Sequence, residues 1–197
     1  MKLQIQKSLK ESDLIAACKK QHAKGQRMLY ERYAPLMLGL CRRYVKGDLE
    51  AEDVMIKGFM NIFSKIDRFE GKGSFEGWMK RIMINESLTF IRQNKAMYLE
   101  TDIEMAEREP DYDKISAELE AKDLLKMVNE LPVGYRTVFN LYAIEGYSHK
   151  EIAGLLGINE NTSKSQLSRA RMQLQKKIVE TEKVLETKNM GKHGRKA

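Results

Sequence analysis

Between Phe69 and Trp78 the chain reads FEGKGSFEGW, which sets three glycines, a lysine and a serine hydroxyl close together. These are the groups that cradle phosphate. A nucleotide-binding loop of the form G-x-x-x-x-G-K-[ST] wraps phosphates in backbone amides and sets its hydroxyl on magnesium. With Gly71-Lys72 as the G-K pair, Ile66 stands where the first glycine belongs and Gly73 where the hydroxyl belongs. The dinucleotide pattern G-x-G-x-x-G fails at Glu76. Both motifs also follow a strand, whereas Met55, Phe59, Ile62, Phe63 and Ile66 precede this loop at helical spacing. The stretch is suited to different chemistry. Phe69, Phe75 and Trp78 offer flat faces, on which nucleic-acid bases gain about 1–3 kcal/mol each by stacking. Lys72, Lys80 and Arg81 can neutralise phosphates. The same rings also suit a purely structural place in a core, Trp78 as readily as any.

Catalysis finds no comparable constellation. His22, His149 and His193 lie far apart, and none stands at zinc spacing from Cys18 or Cys41. Asp48, Glu50, Glu52 and Asp53 look like a magnesium cluster, but a helix start attracts acids through its dipole alone. No enzyme activity, metal or cofactor is expected.

A second stretch, YSHKEIAGLLGINENTSKSQLSRARMQLQKKI, reads as helix-turn-helix. Ser148 and Glu151 form a capping box, each side chain satisfying the other's free backbone amide. Ile152, Leu155 and Leu156 supply an inner face, Gly157 the left-handed residue of the turn, and Ile158 a plug between helices. Asn159 or Asn161 caps the next helix, on which Leu167, Ala170, Leu174 and Ile178 face inward. Thr162, Ser163, Lys164, Gln166 and Arg169 are then turned outward at the end that in a helix-turn-helix enters a major groove; an ordinary helical hairpin with a solvated polar face is the alternative. His149 reads as a surface residue or a phosphate contact.

The elements that must position these stretches are helices. Ser12 caps a first helix that Gly25 breaks or ends. Tyr30, Tyr33, Met37, Leu40, Cys41 and Tyr44 mark a second, which Pro35 kinks or splits. Asp48 caps a third, from Leu49 to about Asp67, and a fourth follows the glycine loop from Trp78. On the third helix Phe59 and Phe63 suit the core, and Leu49 and Val54 suit either core or interface. Together these make a four- or five-helix bundle ending near Lys95. A second unit opens with a helix from about Ile115 to Asn129, its apolar side Leu119, Leu124, Leu125 and Val128. Pro132 and Gly146 bound the next helix. Between the bundles, Glu100 to Asp123 holds ten acidic residues against Arg108, Lys114 and Lys122, while both flanks are basic. The fold class is all-α: two small helical domains joined by an acidic linker.

Composition is consistent with this. The 197 residues are 42% hydrophobic with a net charge of +7, which suits either nucleic-acid binding or simple solubility. No apolar run approaches the ~20 residues of a membrane span. The N-terminus lacks the apolar core of a secretory signal. Two cysteines in helical context suit a reducing cytosol, so a cytoplasmic protein without membrane contact is expected.

Taken in order, these blocks resemble a bacterial RNA polymerase sigma factor of the extracytoplasmic-function group, which keeps only sigma domains two and four. DLEAEDVMIKGFMNIFSKIDRF resembles the helix that grips the polymerase clamp, and FEGKGSFEGWMKRIMINESLTFIRQ the region that reads and melts the minus-ten element. LPVGYRTVFNLYAIEGYSHKEIAGLLGINENTSKSQLSRARMQL resembles domain four, which reads the minus-thirty-five element. The resemblance covers about residues 10–180. It implies a domain two over 1–95, an acidic linker over 96–114, a domain four over 115–185 and a basic, disordered tail over 186–197.

The resemblance further implies minus-ten contacts from Phe69, Lys72, Ser74, Phe75, Trp78, Lys80, Arg81 and Asn85. It implies minus-thirty-five contacts from Thr162, Ser163, Lys164, Ser165, Gln166, Ser168 and Arg169, and polymerase contacts from Asp48, Glu52, Asp53, Ile56 and Lys57. Core RNA polymerase, through its clamp and flap, and promoter DNA are the implied partners; an anti-sigma factor is left open. In the linker, Asp102, Glu104, Asp111 and Asp113 either lie along the path of nascent RNA or are a solvated connector. Three residues, at two places, depart from the family pattern. Gln166 stands where arginine is frequent, and glutamine pairs with adenine rather than guanine. Ile56-Lys57 replace glutamine and an acid, reversing a charge on the clamp surface. A stand-alone helix-turn-helix regulator is the competing reading, and would bind a palindromic operator by itself. An RNA-binding protein is a third, though it leaves the helix-turn-helix idle.

Overall fold

The computed structural model describes residues 10–94 and 121–193, with side chains for 10–94 and 123–181. The described secondary structure is all helical and falls in two compact units that divide after Gln93. The linker expected over 96–114 lies outside the described residues.

The first unit contains α1 (Glu11–Lys19), α2 (Ala23–Tyr44), α3 (Asp48–Lys65) and α4 (Phe75–Gln93), with a 3-10 turn at Ile66–Arg68. Helices α2, α3 and α4 pack on one another, and α1 lies against α2 and the 3-10 turn. Leu29, Met37, Leu40, Cys41 and Tyr44 from α2 meet Val54, Phe59 and Ile62 from α3 and Phe75, Met79, Met83 and Leu88 from α4, all buried. Each such side chain contributes roughly 1.5–3 kcal/mol on leaving water, so this core is what holds the loop at 69–74 in place.

Several local expectations are corrected here. Ser12 does not cap α1: Lys10 precedes the helix, its carbonyl accepts from the amides of Asp13 and Leu14, and Ser12 lies inside the first turn. Gly25 does not end a helix but sits within α2, buried against α1. A Cβ on it would lie 2.6 Å from the Ala17 Cβ, so its absence lets the two helices approach. The break falls instead at Lys20–His22, where Gln21 takes a left-handed φ of 53°. Pro35 lies inside α2 without splitting it. A proline forfeits one helical hydrogen bond, and Leu29, Tyr33, Met37 and Leu40, buried on both sides of it, keep the helix seated. Asp48 is the first residue of α3 rather than its cap, and pairs with Arg42 at 2.9 Å. Helix α4 begins at Phe75, three residues before Trp78.

The second unit contains α5 (Ala121–Asn129), α6 (Val133–Phe139), α7 (His149–Leu156) and the long α8 (Glu160–His193). Met127, Val128 and Leu131 form its core with Ala170 and Leu174, and Tyr135, Phe139 and Ile178 pack against them. Leu124 and Leu125 are exposed, contrary to the expected apolar side of α5. Leu125 lies at the edge of the face that Met127, Val128 and Leu131 share, whereas Leu124 lies on that face by helical spacing and is nevertheless 39% exposed in the first turn of the helix. Pro132 precedes α6 and Gly146, at φ 78°, follows it. Between them α6 continues into a π-helical turn, Asn140–Ile144, that buries Asn140 and Leu141. Helix α8 runs through residues expected to belong to the tail from 186 onward.

Candidate nucleic-acid interface

In the second unit the capping box is closed. The Glu151 amide donates to the Ser148 Oγ at 3.3 Å, and the Ser148 amide to the Glu151 Oε2 at 2.8 Å. Gly157 ends α7 at φ 66°, a conformation that penalises any residue with a Cβ. Asn159, not Asn161, caps α8: the Thr162 amide donates to its Oδ1 at 2.6 Å. Leu167, Ala170 and Leu174 are buried as expected. This ties α8 across α7 with its N-terminal turns outward.

The outward stripe is narrower than the expected set. Lys164, Ser165, Ser168 and Arg169 are exposed. Ser163 is not: it is 0% exposed and its Oγ lies 2.9 Å from the His149 Nδ1. It shares a helical face with Leu167, Ala170 and Leu174 and is therefore an inner residue. Thr162 is half-buried, and so is Gln166, whose amide lies over Gly134, with Nε2 3.3 Å from where a Cβ on that glycine would be. Lys164 pairs with Glu160 at 2.7 Å and holds that carboxyl below its ordinary range. The Arg169 Nη1 donates to the Tyr135 hydroxyl at 3.4 Å. His149 is no simple surface residue. Besides meeting Ser163 it stacks on Tyr142 at 4.5 Å, and the Arg171 guanidinium lies 5.8 Å from that same ring. The capping-box spacing gives no hint of this link, which joins residues on three elements.

In the first unit the three rings separate in role. Phe75 is 1% exposed. It lies stacked with Trp78 at 5.6 Å and 20°, and edge-on to Phe69 at 5.0 Å. It cannot present a face to a base and is corrected to a core platform. Phe69 and Trp78 are half-buried and touch each other at 5.6 Å, so parts of both rings stay open. Trp78, Arg81 and Asn85 follow one stripe of α4, and the latter two are exposed. Gly71 and Gly73 adopt φ 76° and 83°, which turns the chain into α4. The Ser74 Oγ accepts from the Gly77 amide at 3.2 Å, so this hydroxyl serves the helix start. Lys72 pairs with Glu70 and Lys80 with Glu76, each at 2.7 Å. Exposed pairs of this kind are worth only ~0–1 kcal/mol and yield readily to a phosphate. One contact here is invisible in the sequence: the Lys19 Nζ, on α1, donates to the Phe69 carbonyl at 2.8 Å.

A third surface lies on α3. Leu49, Glu52, Asp53, Ile56, Lys57 and Met60 recur at three-to-four spacing, and all are exposed. Leu49 is 77% exposed, Ile56 48% and Met60 66%. Asp48 lies at its start, exposed and paired with Arg42. Val54 and Phe59 are core and Phe63 is half-buried, which places Leu49 on the outside.

Two family models match the chain. Residues 29–97 match Sigma-70 region 2, and residues 121–174 match Sigma-70, region 4. The chain belongs to the sigma-70 family, in its extracytoplasmic-function group. It is 25% identical over 183 residues to an ECF RNA polymerase sigma-E factor of Haemophilus influenzae, covering 86% of this chain and 96% of that one. It is 24% identical over 188 residues to the ECF RNA polymerase sigma-E factor of Escherichia coli, covering 88% and 97%. A solved relative is the sigma factor RpoE in complex with the anti-sigma factor NepR from Bartonella quintana. That chain is 25% identical, with a TM-score of 0.48 over 76% of this chain and 94% of that one. Region 2 takes in most of α2, all of α3, the aromatic loop and α4, and region 4 takes in the helix-turn-helix. The sigma factor is thus an alternative initiation factor that directs RNA polymerase to promoters. Members of this family are DNA-binding initiation factors rather than catalysts. Among the described residues no helix is long and apolar enough to cross a membrane.

Proposed function

We propose that the three outward surfaces divide the work of initiation. The α3 stripe from Asp48 through Glu52, Asp53, Ile56 and Lys57, extended by Leu49 and Met60, binds the polymerase clamp. Exposed apolar side chains at this spacing are characteristic of a surface that a partner covers. Phe69, Trp78, Arg81 and Asn85, with Lys72 and Lys80, engage the minus-ten element, and the half-open rings stack on a displaced base. Lys164, Ser165, Ser168 and Arg169, flanked by Gln166 and Thr162, read the minus-thirty-five element. Domain two then spans 1–95 and domain four 115–185, with 96–114 as connector. The chain adds no catalytic step of its own, and it acts in the cytoplasm, where polymerase and DNA are. An anti-sigma factor is a further proposed partner, because Leu49, Ile56 and Met60 need cover when polymerase is absent.

One observation carries this reading over a stand-alone regulator. The chain holds an aromatic, glycine-flanked surface for unpaired bases in one unit and a duplex-reading helix in the other, and a regulator would use only the second. Run-off transcription with purified chain, bacterial core polymerase and a genomic fragment pool tests it. New transcripts sharing a two-part upstream element are expected. Specific binding of duplex by the free chain, with neither core binding nor transcripts, would assign a regulator instead.

A further inference from the structure

Helix α1 lies outside both matched regions and carries none of the proposed contacts, yet it grips the aromatic surface at two places. The Lys19 ammonium donates to the Phe69 carbonyl at 2.8 Å, in a half-buried bond spanning 50 residues of chain. At the other end of α1, the Tyr33 hydroxyl donates to the Glu11 carboxylate, and the Tyr33 ring meets Phe75 edge-on at 6.2 Å. The helix also packs along the 3-10 turn that delivers Phe69. Beyond Phe69 the chain passes through Gly71 and Gly73, both at positive φ. Glycines lose more conformational freedom on ordering than any other residue. A surface fixed before DNA arrives does not incur that ordering cost when a base is displaced. A charged donor on a backbone carbonyl is among the stronger hydrogen bonds available for such fixing.

We propose that Lys19 is a positioning residue for promoter melting: from α1 it fixes the Phe69 backbone and thereby the open faces of Phe69 and Trp78. This rests on those rings being the melting surface, as proposed above. Lys19 itself touches no base. Its part is to hold the loop in the shape that receives one.

The test compares Lys19→Met, Lys19→Arg and Trp78→Ala with wild type, as full chains in holoenzyme, on a promoter found by run-off transcription. Core affinity and the rate at which thymines become permanganate-reactive are measured for each. Lys19→Met is expected to bind core as wild type does while melting about tenfold more slowly, the effect of losing one hydrogen bond from a charged donor. Lys19→Arg should recover most of the rate, and a template with a preformed bubble should restore run-off transcription by Lys19→Met. If Trp78→Ala is slow but Lys19→Met melts at the wild-type rate, the inference falls and the aromatic surface stands. If Trp78→Ala also melts at the wild-type rate, the surface itself is wrong and the inference goes with it. Loss of core affinity in step with melting, or no recovery by arginine or by the bubble, would make Lys19 a general brace and overturn its positioning role.

Discussion

Phe75 and Trp78 lie one helical turn apart and stack face to face, but solvent reaches only the second. Truncating them should separate stability from melting. Phe75→Ala removes a fully buried ring and is expected to lower stability by about 3–5 kcal/mol, read by urea unfolding. Trp78→Ala removes a half-exposed ring, so its main effect should fall on open-complex formation, with core binding retained. Both residues are plain in the sequence as aromatic, but their division of labour depends on which side α1 and α2 cover, and that is settled across the bundle. Cys41 provides a second residue-level prediction. Burial pushes its thiol up from 9.0 to about 11, despite a hydrogen bond with Ser87 that works the other way. A raised folded value means the contribution is fully present below the unfolded pKa and is lost as pH rises through the folded one. Stability should therefore fall between about pH 9 and 11, by on the order of 2 kcal/mol. Cys41→Ala should flatten the urea midpoint across that window, and an unchanged decline would assign it to other groups. In the reading helix, Gln166→Arg is expected to shift preference at one base pair by ~1–3 kcal/mol, measured by selection from a randomised promoter. Because the Gln166 amide rests over Gly134, an unchanged profile would mean that this side chain serves α6 rather than a base.

At the scale of elements, what was legible was local. The capping box, the left-handed Gly157 and the inward run of Leu167, Ala170 and Leu174 are each written within a few residues, and all appear in the structure. Ser148→Ala should cost about 1 kcal/mol of stability. What was not legible depends on partners far along the chain. Gly25 reads as a breaker, but its use comes from Ala17 across the packed faces of α1 and α2. Gly25→Ala should force those faces apart and, through α1, loosen the bond from Lys19 to Phe69. It should lower the thermal midpoint and increase proteolysis near Lys20–His22. Ser163 reads as an outward hydroxyl only until α7 brings His149 to it. The exposed Leu124 and Leu125, and the π-helical turn after α6, likewise have no marker that a periodicity argument reaches.

For the whole molecule, the net charge of +7 matters by where it lies. The exposed basic side chains of α8 should make promoter affinity fall steeply with salt, by about 0.9 log units per neutralised phosphate for each tenfold rise in salt concentration. Arg169→Ala is expected to make that slope shallower by about one phosphate's share. Two surfaces of one chain are proposed to read two separate promoter elements while a third holds polymerase. Footprinting of the holoenzyme on a promoter found by run-off transcription tests it most directly. Wild type should protect an upstream and a downstream block, Arg169→Ala should weaken the upstream block first, and Trp78→Ala should keep both while failing to expose melted thymines. Protection of a single palindromic block by the free chain, unchanged when core polymerase is added, would contradict the account.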